Sequence, residues 1–240
     1  MLMANLSTSD KKLWYCDLGN IPYDEAWELQ GKIFRQRKNG FIPDVLLLLE
    51  HPHTYTLGKV ASRENLIADE EYLRKEGISV FDIDRGGDIT YHGPGQIVGY
   101  PIIDLEGWKK DSHKYLRALE EIIILTASEY GLKCGRNEKY TGVWIENRKI
   151  AAIGIKISSW ITMHGFAFNV NTDLSKFRGI IPCGISDKDV TSLEIELGSK
   201  IGMQEVVSRL VKNFIGLFEY GKIENVTKEF INEQLLSKAN

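Results

Sequence analysis

Hydrophobic and polar positions alternate with two periods along this chain, and the two are interspersed. Leu13 to Leu18 and Val45 to Glu50 read as strands; the second is apolar without alternation, the pattern of a strand buried on both faces. Between them, Ala26, Leu29, Ile33 and Phe34 recur at helical spacing, so a helix is expected over Tyr23 to Lys38, entered after Pro22 and left at Gly40. His51 to Gly58 is too rich in turn-forming and polar residues for a simple strand. Ala68 to Lys75 reads as a short helix stopped by Gly77, and Ile78 to Ile83 and Ile97 to Ile103 as strands.

The clearest helix is expected over Asp111 to Tyr130, with Leu116, Leu119, Ile123 and Ala127 on its apolar face and Gly131 as its stop. Strand-like runs follow at Thr141 to Glu146, Lys149 to Ile157 and Thr162 to Val170, the first two joined by a tight hairpin at Asn147-Arg148. A further helix is expected from about Met203 to Tyr220, and the residues from Lys222 onward are charged and helix-compatible. Strands and helices do not alternate strictly, which predicts an α+β domain built on a mixed, largely antiparallel sheet. The expected organisation is a polar leader over residues 1–12 and a single domain over 13–240.

The chain of 240 residues carries 30 basic and 33 acidic side chains, a formal net charge of −3. That balance speaks against nonspecific nucleic-acid binding. The apolar runs are too short for a membrane span, and the three separated cysteines (Cys16, Cys134 and Cys183) fit a reducing, cytoplasmic setting rather than a disulfide framework. An acidic protein partner would need a local basic patch, for which Lys32, Arg35, Arg37, Lys38 and Arg148 are the candidates.

Two segments draw attention as chemistry. Arg85 to Gln96 holds four glycines among Arg85, Thr90, Tyr91, His92 and Gln96, with neither a Walker nor a dinucleotide-binding spacing. Such a stretch suits close approach of backbone to ligand, or simply a glycine-rich hairpin. Cys183 stands between Pro182 and Gly184, flanks that present a side chain on a turn. The other reading is a small buried hydrophobe, which is favoured for Cys16 and Cys134. A catalytic thiol needs a neighbour that favours the thiolate: His92, His164, Lys149 and Lys156 are available. In a regular strand Lys149 and Lys156 face opposite sides, so at most one of them enters a shared pocket. No metal is expected, because Pro52 interrupts the alternation between His51 and His53.

Four motifs then occur in register: Arg85-Gly-Gly-Asp-Ile-Thr-Tyr-His-Gly-Pro-Gly-Gln96, Lys149-Ile-Ala-Ala-Ile-Gly154, Thr162-Met-His-Gly-Phe-Ala-Phe-Asn169 and Pro182-Cys-Gly-Ile185. Together with Glu50-His-Pro52 and Thr56-Leu-Gly58, this set closely resembles the octanoyltransferases of protein lipoylation, the lipoate–protein ligase B family. The resemblance runs from about residue 13 to about 220, and it departs at Lys59, where an arginine is usual. It implies a fold similar to the catalytic domain of biotin and lipoate ligases. It also implies transfer of an octanoyl, or lipoyl, group from the phosphopantetheine arm of acyl carrier protein. The acceptors would be the lipoyl domains of 2-oxoacid dehydrogenases and the glycine cleavage H protein, and the enzyme would bind no cofactor of its own.

Carried over by residue, the resemblance makes Cys183 the acyl-thioester nucleophile and Lys149 the lysine that lowers its pKa. It makes Arg85, Gly86, Gly87, Asp88, Ile89, Thr90, Tyr91, His92, Ala152, Ile153, Gly154, Gly165, Phe166 and Ala167 the substrate-binding residues. Gly154, Ala152, Gly165 and Ala167 are small enough to leave an acyl slot, or to pack strands closely. Amides around Gly184, Gly86-Gly87 and Gly165 are the candidate oxyanion donors. The competing activities are an ATP-dependent ligase of the same superfamily, a cysteine thioesterase and a non-catalytic acyl-binding domain.

Overall fold

The computed structural model describes residues 10–181 and 189–237. Its main sheet uses β1 (Lys12–Asn20), β2 (Asp44–Glu50), β6 (Gln96–Ile102), β7 (Gly135–Arg136), β8 (Val143–Ile145), β9 (Arg148–Ser158), β10 (Ile161–Asn169), β11 (Asp189–Val190) and β12 (Lys222–Asn225). The order is β12-β1-β2-β6-β10-β9-β8-β7, with β11 beside β9. The β12–β1, β1–β2 and β11–β9 pairs are parallel and the others antiparallel, so the sheet is mixed and mostly antiparallel, as the sequence predicts. A small sheet joins β4 (Ser79–Asp82), β3 (Thr54–Leu57) and β5 (Ile89–His92).

Strand alternation divides the core. Val45, Leu47 and Leu49 of β2 face α1 (Tyr23–Lys38), meeting Ala26, Leu29 and Ile33, with Ile231 and Leu235 of α6 (Lys228–Ser237) beside them. Leu46 and Leu48 face the other way, into a cluster with Leu119, Ile122 and Ile123 of α3 (Ser112–Ser128) and Leu210, Phe214 and Phe218 of α5 (Met203–Phe218). Helix α1 has the bounds its periodicity gives. Helix α3 begins where Asp111 accepts a hydrogen bond from the Lys114 amide, and α2 (Glu70–Glu76) ends on Gly77 at φ 63°. A short α4 (Leu193–Leu197) precedes α5.

Three expectations need correction. Thr54–Leu57 is a regular strand at the centre of the small sheet: Tyr55 and Leu57 bury there against Ile89 and Tyr91, and local composition hides that long-range gain. The hairpin between β8 and β9 turns at Glu146-Asn147, one residue earlier than expected, with Glu146 at φ 53°. The segment from Lys222 first forms β12 and only then a helix. Among the described residues no helix is long and apolar enough to cross a membrane.

Candidate functional site

Where β9 and β10 pass beneath the glycine-rich segment, a cavity of about 420 Å³ opens. One face of the sheet supplies its floor in rungs. Asn169 lies opposite Gln96, Ala167 is paired with both Ala152 and Val98, and Gly165 is paired with Gly154. Arg85 forms the lid at the far end, buried to 8 % exposure. Its guanidinium donates to the Thr56 carbonyl (2.8 Å) and hydroxyl (2.9 Å). Gly86, Gly87, Asp88, Ile89, Thr90 and His92 line the cavity from that side, and Ile153, Phe166 and Lys149 join from the sheet.

Tyr91 is the exception among the expected binding residues and does not line the cavity. On β5 the flanking Thr90 and His92 do so, while the Tyr91 ring enters the small-sheet core against Tyr55 and Phe177 and its hydroxyl meets His53 Nδ1 at 2.7 Å. Tyr23, Tyr100, Asn169 and the Lys139–Thr141 loop also line the cavity. Of these only Asn169 lies within a motif; the others come from elements whose approach no local pattern encodes.

Lys149 is buried to 8 % exposure, and its ammonium lies over the Trp144 ring, 4.8 Å from the centroid. The rest of its stem meets Gly142, where a Cβ would come within 3.4 Å of Lys149 Cε. Gly142 is fixed in turn, its amide donating to the buried carboxylate of Glu120 (3.1 Å), which also binds Arg117 and Arg136. Val190 of β11 pairs with Lys149, and the Thr191 amide donates to the Lys149 carbonyl at 3.0 Å. Cys183 and Gly184 lie outside the described residues. The chain enters that segment at Ile181, whose amide donates to the Asn65 carbonyl (2.8 Å), and leaves it beside Lys149. Burial pushes the thiols of Cys16 and Cys134 up to about 11, which disfavours either as a nucleophile at neutral pH.

Lys156 lines a separate groove, ion-paired to Asp84. Only one of the two lysines enters the cavity, but not for the reason that strict alternation gives. The β8–β9 register slips between Val143 and Trp144, and the consecutive Ile150 and Ala151 both enter the same core cluster, so a bulge resets the alternation. Distance along the strand separates the two lysines.

His92 and His164 line the cavity, and His51 packs behind His92. His51 Nδ1 lies 2.7 Å from the Ile21 carbonyl, which can only accept, so Nδ1 carries the proton and Nε2 accepts from the Tyr100 hydroxyl at 2.8 Å. By the same logic His92 Nδ1 donates to Gln96 Oε1 (2.9 Å), since Gln96 Nε2 is spent on Asn169 Oδ1 and the Tyr91 carbonyl. Burial lowers His51 to about 4 and holds His92 well below the usual imidazole range. Burial also lowers His164, against the opposing pull of Asp84 (Nε2 to Oδ1, 2.8 Å). For Asp84, burial pushes upward, but the hydrogen bonds from Lys156 and His164 together hold it below the usual carboxylate range. Among the described residues no three metal-ligating side chains converge.

Two proposals about glycines change. A Cβ on Gly154 would stand 2.8 Å from Arg85 Cδ and 3.0 Å from the Gly86 carbonyl, and one on Gly165 would strike the Gly99 carbonyl and the Pro101 ring. Both glycines therefore serve close packing, and Ala152 and Ala167 are left as the open floor. The Gly86 amide donates to the Ile155 carbonyl (2.9 Å), so it is committed to the fold rather than to an oxyanion. The basic patch is also partly neutralised: Lys32 pairs with Glu28, Arg37 with Asp44 and Asp104, and Arg148 with Glu196 and Glu146.

Residues 22–215 match the lipoyl protein ligase A/B catalytic domain. A curated octanoyltransferase of Flavobacterium johnsoniae is 51 % identical over 227 residues, covering 88 % of this chain and 98 % of the relative. That of Rubrobacter xylanophilus is 57 % identical over 198 residues, covering 82 % and 89 %. Among solved structures, a lipoate-protein ligase A bound with ATP superposes with a TM-score of 0.76 at 16 % identity, covering 95 % of this chain and 94 % of the other. A bipartite lipoate protein ligase of Thermoplasma acidophilum gives 0.74 at 17 %, covering 95 % and 91 %. At those identities the structures speak for the fold alone.

Proposed function

The chain belongs to the octanoyltransferases, within the lipoyl protein ligase A/B catalytic-domain family, and from that membership we propose that it moves an octanoyl group from acyl carrier protein, through a thioester on Cys183, to a lipoyl-domain lysine. It is an acyltransferase of lipoylation. In the proposed sequence the Cys183 thiolate attacks the donor thioester carbonyl, and the donor's phosphopantetheine thiol leaves with a proton. The amine of the acceptor lysine then attacks the acyl-enzyme, forms the amide and returns the cysteine thiol. A cation beside the sulfur favours the thiolate, and Lys149 can pass protons between the sulfur, the leaving thiol and the attacking amine. The acceptors are the lipoyl domains of 2-oxoacid dehydrogenases and the glycine cleavage H protein.

One observation carries this reading: Lys149 stands in the wall of a cavity whose floor is Ala152 and Ala167, and the segment bearing Cys183 rejoins the sheet at Asp189-Val190, paired with Arg148 and that lysine. From Lys149 to Gly154 the strand offers roughly 15 Å of length, room for an extended eight-carbon chain. Burying such a chain contributes roughly 5 kcal/mol before ordering costs. Because Cys16 and Cys134 are both disfavoured as thiolates, Cys183 is the nucleophile of choice.

The test is intact-mass analysis after mixing the enzyme with octanoyl-acyl carrier protein, without ATP. Wild type should gain one hydroxylamine-labile octanoyl group and the Cys183→Ser variant none. An adduct on the variant removes Cys183 from the chemistry, and turnover that needs free octanoate and ATP replaces transfer with ligation.

A further inference from the structure

The sheet that floors the cavity leaves the main-chain groups of Ile153 on β9 unmatched among the described residues. The Ile155 carbonyl on β9 accepts from the Gly86 amide (2.9 Å), and its opposite number His164 sends its own amide to Gln30 Oε1 (2.8 Å). Ile155 and His164 are thus a pair that exchanges no ladder hydrogen bonds, and the main-chain groups of Ile155 turn to the far edge of β9. Alternation in an antiparallel ladder gives Ile153 the same orientation. Along that edge Ala151 is paired with Val143 of β8, and the Ile155 carbonyl is taken by the glycine-rich loop. Between them the N–H and C=O of Ile153 have no partner among the described residues.

Main-chain polar groups in a cavity wall are costly to leave unmet. An alkyl chain cannot satisfy them. Ile153 lines the same cavity as Leu116 of α3 and as Lys139, Tyr140 and Thr141. That loop is fastened by the Trp144 indole, which donates to the Tyr140 carbonyl (3.3 Å).

We propose that the open rung at Ile153 holds one secondary amide of the acyl donor's arm, with the Ile153 N–H donating to the amide carbonyl and the amide N–H donating to the Ile153 carbonyl. The proposal rests on the octanoyl-transfer reading above. A pantetheine arm is extended and carries secondary amides. A peptide strand of the acceptor would instead need successive rungs on one edge, and there Ala151 is paired with β8 and the Ile155 carbonyl is taken by Gly86.

The experiment measures acyl-enzyme formation and onward transfer separately, with three donors: S-octanoyl-pantetheine, an isosteric thioester with methylenes replacing its amides, and a version N-methylated at those amides. In wild type, acyl-enzyme formation should be roughly tenfold less efficient in kcat/KM with either altered donor. In Ile153→Pro, which removes the N–H at an edge position where proline is tolerated, that discrimination should fall to about one. In Ile153→Ala, which keeps the N–H, it should persist. Equal use of all three donors by wild type overturns the proposal, as does full discrimination by a folded Ile153→Pro. Should that variant not fold, the N-methylated donor decides alone. Amide dependence confined to the second step assigns the rung to the acceptor and overturns it too. No acyl-enzyme from any donor, including octanoyl-acyl carrier protein, is a separate outcome that removes the octanoyl-transfer reading and this proposal with it.

Discussion

At the scale of single residues, the site turns on where one ammonium group is held. Lys149 is only 8 % exposed and Trp144 3 %, and a cation over an indole face away from water is held by about 0.5–2 kcal/mol. That attraction helps to hold the lysine beside β11, the strand that follows the Cys183 segment. Trp144→Leu should therefore slow alkylation of Cys183 near neutral pH by roughly two- to thirtyfold, while Trp144→Phe, which keeps a ring, should retain part of the rate. Iodoacetamide kinetics followed by intact mass give the readout, and wild-type alkylation by Trp144→Leu would show that the ring holds nothing of consequence. Motif residues made Lys149 legible in the sequence. Trp144 was not, because only the β8–β9 pairing, with its bulge at Ile150, sets it against the lysine.

At the scale of elements, the β9–β10 ladder decides what the small residues do. Gly165→Ala would drive a methyl into the Gly99 carbonyl and the Pro101 ring, neither of which can swing aside. Its expected cost is about 1–3 kcal/mol of stability, visible as a lower urea midpoint. Gly154→Ala meets the Arg85 side chain and the Gly86 carbonyl instead, which belong to a loop that can lift. The expected result there is a raised KM for the octanoyl donor with a nearly normal urea midpoint. A variant that loses stability and keeps its KM would reverse the assignment. Helix α1 was readable to the residue, because its periodicity is local. Strand β3 was not, since its stability comes from β4 and β5 and from the buried Tyr91 ring, and the two-residue β11 exists only through its pairing with β9. Sequence logic likewise put Tyr91 in the binding wall by motif, while the period of two in β5 turned it away.

At the scale of the whole molecule, segments around residues 85–92, 149–154 and 165–167 meet because the sheet order sets β6, β10 and β9 side by side beneath the small sheet. The junction is built from neutral imidazoles, which makes stability sensitive to acid. His51 titrates near 6.5 when the chain is unfolded and at about 4 when folded, its ring fully buried. Between those values the unfolded chain binds more protons than the folded one, so stability must fall as pH falls, by roughly 3 kcal/mol for His51 across the whole window. His92 and His164 are lowered in the same direction and deepen the loss, whereas Asp84, lowered from 3.8, adds to it only below that window. The urea midpoint should hold steady above about pH 7 and drop steeply toward pH 5. His51→Gln cannot take up a proton at that position, so its midpoint should start lower and fall less. A midpoint that is flat between about pH 7.5 and 5 in wild type would mean that these rings ionise in place without cost.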